Sequence, residues 1–460
     1  MRILLIAYEF PPSPSPQSLR WLYLTRELAR LGYQVHVLTV DLPMQTSGLS
    51  ALPTKATVHR TPGGPISALV GMLARRQAAK QAGPESMMLA ENVLLAGPVA
   101  AEPMMAALAL PAVRLNWKGR IAGTVIVALS RMFALWPLFP DARGAWFRSA
   151  CRALSSLVEE IRPDLVVTSH EPATTLELGL LLKRRFGLPW IADLGDPVLA
   201  DYTPRRWRSR SRKLERQVLA NADGVTVTSI GTRELLLQRH APFVRGVIEV
   251  LPQGFDDSDA VASEPPPADF FDVERLELLY TGSFYRFRRP ESLIEAVAKV
   301  PQVRLNVATI VIPAWLESML ESIPGQVRLL GFLPHTAALA LQRRADVLVN
   351  IANDNSYQVP GKVYEYLGSG RPILHIGNGN AGDVAAELVL ERRRGWVCGN
   401  DAEAIAGLLR RLCESKRGDG GFPEVEFGRG TVAEFGWSRL AQRFADIATG
   451  IAPLNTAGRA

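Results

Sequence analysis

Apolar residues along this chain fall in short runs separated by amphipathic stretches. Runs at residues 3–7, 35–40, 165–169, 190–193 and 224–229 have the length of buried strands, and the segments between them carry helical spacing. That rhythm predicts a parallel sheet with crossover helices. A second set of runs follows at 276–282, 303–312, 327–331, 347–351 and 372–376. The chain therefore reads as α/β, with two doubly wound, Rossmann-like domains. Between them, residues 251–257 and the Pro-rich 264–267 replace periodicity with turn formers and mark the linker. At 460 residues the chain also exceeds what one core normally supports.

Composition adds limits rather than identity. With 47% hydrophobic and 21% charged residues, the chain is ordinary for a globular protein and able to fill two cores. Cys151, Cys398 and Cys413 are an odd number without a Cys-x-x-Cys pair, so neither a disulfide framework nor a thiolate zinc site is signalled. The first apolar run stops at Glu9, too short for a signal-peptide core, and a reducing cytoplasm is the simplest expectation. Between residues 64 and 140 the pattern is least readable. Its apolar segments 121–129 and 132–139 are interrupted by Arg120 and Arg131, so a clean membrane span of roughly 20 residues is not predicted. A helical insertion packed on the first domain is favoured there over a patch lying at a membrane surface.

Charge is unevenly spread. Residues 1–250 carry 30 Lys and Arg against 19 Asp and Glu, while the rest of the chain carries 22 against 26. The densest basic run, residues 205–213, leads into a helical pattern. No zinc finger or RNA-recognition signature accompanies it, so an anionic membrane surface or acidic acceptor is favoured over nucleic acid, with a solvated face as the plain alternative.

The segment 359–374, Val-Pro-Gly-Lys-Val-Tyr-Glu-Tyr-Leu-Gly-Ser-Gly-Arg-Pro-Ile-Leu, carries the most chemistry. Pro360 suits the first turn of a helix, and Gly368 and Gly370 allow the chain to leave it. Lys362 and Glu365 are one turn apart and share a face. A helix start offers free N–H groups to a phosphate, Gly361 permits close approach, Lys362 adds a charge, and Glu365 can accept from ribose hydroxyls. A capped helix with a surface ion pair explains the same residues equally well.

This segment resembles the donor-nucleotide segment of glycosyltransferase family 4, the retaining GT-B enzymes, in the branch with Pro-x-Lys-x-x-Glu-Tyr. Residues 1–40, 189–197, 222–225, 279–283 and 345–349 are similar to further landmarks of that family, in order and spacing. The resemblance implies a GT-B fold, two Rossmann-like domains facing across a cleft. It implies an N-terminal acceptor-side domain over 1–255, with the insertion at about 64–140. A nucleotide-sugar-binding domain follows over 270–430, and a final helix in 431–460 returns to the first domain. It also implies no cofactor and no metal, with a UDP- or GDP-sugar as substrate.

In open parallel sheets ligands collect at the C-terminal strand ends, so residues following the predicted strands are the site candidates. After the first strand, Gln17 and Ser18 stand where family members commonly have paired glycines, and Arg20 could hold an anionic group. His170 follows the 165–169 run and matches the place of the family's active-site histidine, able to donate to a sugar hydroxyl or to adjust nearby charge. Asp193 and Asp196 either orient the acceptor or cap a helix, in a segment with Gly195 where arginine is common. In the second domain, Gly282 is followed by Ser283 where arginine is common, and Arg288 stands where lysine is common. Arg286 or Arg289 could compensate. Phe332, in residues 331–335, falls in the segment that resembles the loop beneath the nucleobase. Tyr357 occupies the place of a first glutamate, leaving Glu365 as the second. Donor-sugar contacts then fall to backbone near 356–359 or to Asn353, Asp354 and Asn355.

The implied activity is transfer of a sugar, with retention, from a nucleotide diphosphate donor to a glycan or lipid-linked acceptor. Lys362, Arg288 and the helix start would stabilise the leaving pyrophosphate, and His170 would sit near the transferred sugar. Two other classes stay open: a nucleotide-sugar epimerase on the same fold, and a noncatalytic nucleotide-sugar-binding scaffold suggested by the missing glycines and Ser283.

Overall fold

The computed structural model describes residues 1–13, 15–41, 49, 56–64, 138–258, 266–285, 288–309, 312–355, 357–379, 382–417 and 421–453. The expected insertion at 64–140 lies almost wholly outside these residues, as do Arg286 and Ser356. The chain divides into two compact units. One comprises the described residues up to Pro252, Leu49 excepted, together with those from Ala441 onward; the other comprises Leu49 and the described residues of Gln253–Leu440.

In the first unit, seven strands form one parallel sheet in the order β3-β2-β1-β4-β5-β6-β7. They are β1 (Arg2–Ala7), β2 (Gln34–Asp41), β3 (Ala56–Pro62), β4 (Leu165–His170), β5 (Trp190–Leu194), β6 (Gly224–Val227) and β7 (Val247–Val250). The central strands β1, β4, β5 and β6 are buried almost throughout, as continuous apolar runs require. Helices α1 (Pro16–Arg30), α2 (Phe147–Ile161), α3 (Thr174–Phe186), α4 (Arg205–Asn221) and α5 (Ile230–His240) belong to the same unit. Ser15 caps α1 by accepting from the Ser18 N–H at 3.0 Å, and Pro16 opens the helix.

The second unit repeats the plan. Six parallel strands, β8 (Leu276–Thr281), β9 (Val303–Ala308), β10 (Val327–Gly331), β11 (Val347–Ile351), β12 (Ile373–Gly377) and β13 (Gly395–Gly399), run in the order β10-β9-β8-β11-β12-β13. The helices are α6 (Glu291–Ala298), α7 (Ala314–Glu321), α8 (His335–Gln342), α9 (Gly361–Ser369), α10 (Val384–Glu391) and α11 (Ala402–Arg417). In both sheets the order reverses beside the first strand, between β1 and β4 and between β8 and β11. Those are the switch points at which doubly wound sheets hold ligands. The last helix, α12 (Trp437–Ile451), contributes its residues from 441 to the first unit. There Phe444 meets Trp21 edge-on at 5.7 Å, and Arg443 donates to the Val250 carbonyl at 2.7 Å.

One buried ion pair locks α1 to the first sheet. Arg20 and Asp193 are both fully out of solvent, joined by two parallel bonds of 2.9 Å. Register explains the rest of the arrangement: Asp193 lies opposite Thr226 across β5 and β6, and the Thr226 hydroxyl donates to it at 2.7 Å. Arg20 also donates to the carbonyls of Pro252 at 2.8 Å and Leu251 at 3.0 Å, where the chain leaves the unit. Among the described residues no helix is long and apolar enough to cross a membrane.

Removing one member of such a pair leaves the other charge buried and uncompensated. Arg20→Leu is expected to cost ~3–5 kcal/mol in urea unfolding, with Arg20→Leu/Asp193→Leu recovering part of that loss. An effect within experimental error for the single variant would refute this role.

Candidate functional site

The second unit gathers its charged groups at the β8 and β11 ends. Gly282, directly after β8, has φ of 124°, and a side chain there would meet Lys362 Cδ and Nζ at 3.9 Å. Lys362 is the second residue of α9. Its Nζ is buried, lies 3.9 Å above the Tyr280 ring, and has no hydrogen-bond partner among the described residues. Burial, and then the nearby Arg288 guanidinium, hold its pKa well below the ordinary lysine value. The aromatic face offsets only part of that cost. A buried amine without a hydrogen-bond partner among the described residues, beside a helix start and a glycine, is costly to the fold, and an anion there would relieve that cost.

Arg288 lies near Lys362 but is turned into the protein. It donates to Asn353 Oδ1 at 3.1 Å, to the Tyr280 hydroxyl at 3.2 Å and to the Ser283 carbonyl at 3.0 Å. Ser283 thus contributes its carbonyl, which also accepts from Tyr280 at 2.9 Å. Direct contact of Arg288 with a leaving group is not what these bonds favour; its charge acts on the site through space. Arg289, the other candidate substitute, is exposed and 3.8 Å from Asp354.

Pro360 precedes the first residue of α9 instead of lying within its first turn. Of the two glycines expected to release the chain, Gly370 does so with φ of 75°. Gly368 remains helical, and a Cβ there would lie 2.2 Å from the Phe255 ring, so close packing accounts for it. Glu365 shares the Lys362 face and is engaged: His335 Nε2 lies 2.9 Å from one oxygen, and Gln342 Nε2 makes a long 3.5 Å contact with the other. Gln342 also reaches Thr281 Oγ1 at 3.4 Å, and Tyr366 holds the Thr281 N–H and hydroxyl at 3.1 and 2.8 Å. This chain ties the end of β8 to α8 and α9. Gln342 is absent from the sequence analysis, and His335 and Tyr366 enter it only within quoted segments, because their partners are distant along the chain. Phe332 is half-buried in the segment after β10.

In the first unit, His170 ends β4 and is buried, with Nδ1 3.0 Å from the Asp196 carbonyl. A carbonyl only accepts, so Nδ1 carries the proton; burial lowers the imidazole pKa, leaving Nε2 as an acceptor. The expected donation to a sugar hydroxyl is thereby corrected to acceptance. Asp196 does not cap a helix: α4 starts nine positions later, and its carboxylate takes the Tyr202 hydroxyl at 2.9 Å. Tyr202 also contacts Glu171 at 3.0 Å, and burial and the two carboxylates raise its pKa well above the usual value. Arg143 stands 2.8 Å from Asp141, 3.5 Å from Glu9 and 3.9 Å from Glu171. Burial opposes its charge, and the three carboxylates outweigh that effect.

Three acceptor-side expectations are corrected by burial. Arg20 and Asp193 are consumed by each other and reach no solvent. Ser18 is buried, with its N–H taken by Ser15. Gln17 lies against Gly195, where an added Cβ would fall 2.0 Å from Gln17 Nε2. Glutamine at one position and glycine at the other are therefore complementary. No group of three His, Cys, Asp or Glu side chains among the described residues is arranged to hold a metal.

Two Rossmann-like units with anion-ready groups at a switch point define a GT-B type of protein. The sequence matches the Glycosyl transferase 4-like domain over residues 93–254 and the Glycosyl transferases group 1 domain over 275–415, together about two thirds of the chain. The chain belongs to the glycosyltransferases built from these two domains. No curated protein sequence matches it. Among solved structures, sucrose-phosphate synthase from Thermosynechococcus elongatus is similar at TM-score 0.64 and 16% identity, covering 98% of each chain. Anabaena HepE in complex with UDP and glucose is similar at TM-score 0.58 and 13% identity, over 98% of this chain and 99% of that one. The UDP-GlcNAc 2-epimerase from Neisseria meningitidis bound to UDP-GlcNAc reaches 0.50 at 11% identity, over 98% of this chain and 100% of that one. At such identities the shared property is the fold.

Without ligand, Lys362→Met is expected to be at least as stable as the wild type at neutral pH, by up to ~3 kcal/mol, because it removes an unpaired buried amine. The sign with pH follows from the lowered folded-state pKa. The unfolded chain binds more protons, so wild-type stability should rise with pH toward the ordinary lysine value of 10.5, a slope the variant should lack. Parallel pH profiles for the two proteins would refute the assignment.

Proposed function

We propose that this chain is a retaining, metal-independent family 4 glycosyltransferase that moves a sugar from a UDP- or GDP-sugar to a glycan or lipid-linked acceptor. The observation that carries this reading is the buried, unpartnered Lys362 Nζ at the start of α9, beside Gly282. As the glycosidic bond breaks, negative charge gathers on the departing pyrophosphate. Lys362 and the N–H groups of the helix start stabilise that charge, and Arg288, bonded to the Tyr280 hydroxyl, adds its field. Glu365 takes the ribose hydroxyls. The acceptor hydroxyl attacks from the face the leaving group departs, with the leaving phosphate oxygen taking its proton.

The test is a thermal-shift screen against UDP, GDP, ADP and their sugar conjugates, with magnesium and with chelator, on wild type and Glu365→Ala. A ligand bound only by the folded state raises the melting temperature. A selective shift that weakens in Glu365→Ala and persists in chelator is the expected result. No shift with any nucleotide would refute the donor reading. Inverted anomeric configuration of the product by NMR would refute retention, and turnover of the donor sugar to its epimer would favour the epimerase class.

The enzyme works in the cytoplasm and docks peripherally on the inner membrane face through α4. That helix exposes Arg205, Arg206, Arg208, Arg212, Lys213 and Arg216, and Arg216 lies 5.0 Å over the exposed Phe243 ring. Cations beside an exposed aromatic suit anionic headgroups. Co-sedimentation with phosphatidylglycerol vesicles at low salt, lost at high salt and absent with phosphatidylcholine, is expected. No sedimentation at low salt would refute it.

A further inference from the structure

Glu365 carries an assignment that its own sequence context does not explain: one of its oxygens is already spoken for. His335, the first residue of α8, places Nε2 at 2.9 Å from Glu365 Oε1, thirty positions away along the chain. The two side chains are 17% and 13% exposed, so the contact is nearly dry while part of each group can still be reached. An ionised carboxylate only accepts, so Nε2 carries the hydrogen, and the bond fixes both the imidazole tautomer and the carboxylate plane. Gln342, one end of the link to Thr281, sits beside the other oxygen at 3.5 Å. A carboxylate has about four acceptor positions, and these two neighbours occupy only two of them.

We infer that His335 is a positioning residue that orients Glu365 to accept both hydroxyls of a vicinal diol, and so makes this site select ribonucleotides over their deoxy counterparts. The inference rests on the proposed assignment of Glu365 to the ribose. Without the His335 bond, the carboxylate has several rotamers to lose when a ligand arrives, and the second acceptor position is no longer fixed. A bond that served only to staple α8 to α9 would affect all ligands alike.

The test measures the affinity of UDP, GDP and ADP, each against its 2′-deoxy and 3′-deoxy analogues, for wild type, His335→Phe, His335→Gln and Glu365→Gln. In His335→Phe the preferred ribonucleotide is expected to bind about tenfold more weakly, with the deoxy analogues nearly unchanged, so that discrimination collapses. His335→Gln, whose amide can place an N–H near the Nε2 position, should restore most of it. Equal weakening of ribo and deoxy forms, or undiminished discrimination in His335→Phe, would overturn the positioning role while leaving the donor site in place. Should wild type bind both forms equally, or Glu365→Gln keep full discrimination, Glu365 does not read the ribose and the inference fails with that assignment. Binding of no nucleotide at all by wild type removes the donor site, and this role with it.

Discussion

The Arg20 guanidinium holds the first unit together. All three of its nitrogens donate to partners drawn from β5 and from the chain as it leaves β7, and none of its surface meets water. A buried charge costs several kcal/mol unless it is paired and hydrogen-bonded; here every guanidinium nitrogen has an acceptor, so the cation is a fastening. Lys362 is the counterexample within the same molecule. Its Nζ is equally buried but has an aromatic face and no acceptor. Two buried basic groups on switch-point helices thus separate by satisfaction: one has acceptors supplied by the fold, the other has none among the described residues.

That contrast orders the remaining site residues. Arg288, bonded to Asn353, Tyr280 and Ser283, belongs with Arg20 as a largely satisfied group, and its influence on Lys362 is electrostatic. Glu365 lies between the extremes, held by His335 with acceptor capacity left over. In the first unit, His170 keeps a free ring nitrogen because its other one is committed to the Asp196 carbonyl. Partial satisfaction of buried polar groups is costly for stability and is therefore informative about function.

Central strands were legible in the sequence because both of their faces are buried, which writes an unbroken apolar run. Strands β3, β7 and β13 were not. Each lies at the edge of its sheet, and β3 reads Ala-Thr-Val-His-Arg-Thr-Pro, with residues that an edge tolerates and a core does not. The motif around Lys362 was legible because a helix start, a glycine and a charge must be local to act together. What the sequence could not show was pairing over distance: Arg20 with Asp193, Glu365 with His335, and Tyr366 with Thr281. Arg20 and Asp193 carry the residue types of an acceptor site, and only burial shows that they are spent on each other.

The noncatalytic reading drew on two departures from the family pattern, the lost glycines near residue 17 and the serine at 283. Side-chain packing bears on both. The Gln17 amide lies where a Cβ on residue 195 would fall, so as placed it packs against a glycine. Ser283 takes part through its backbone carbonyl, which any residue would supply, and Arg288 bonds that carbonyl and the Tyr280 hydroxyl. Lys362, by contrast, is buried without a hydrogen-bond acceptor among the described residues, where an apolar residue would be less costly to the fold alone.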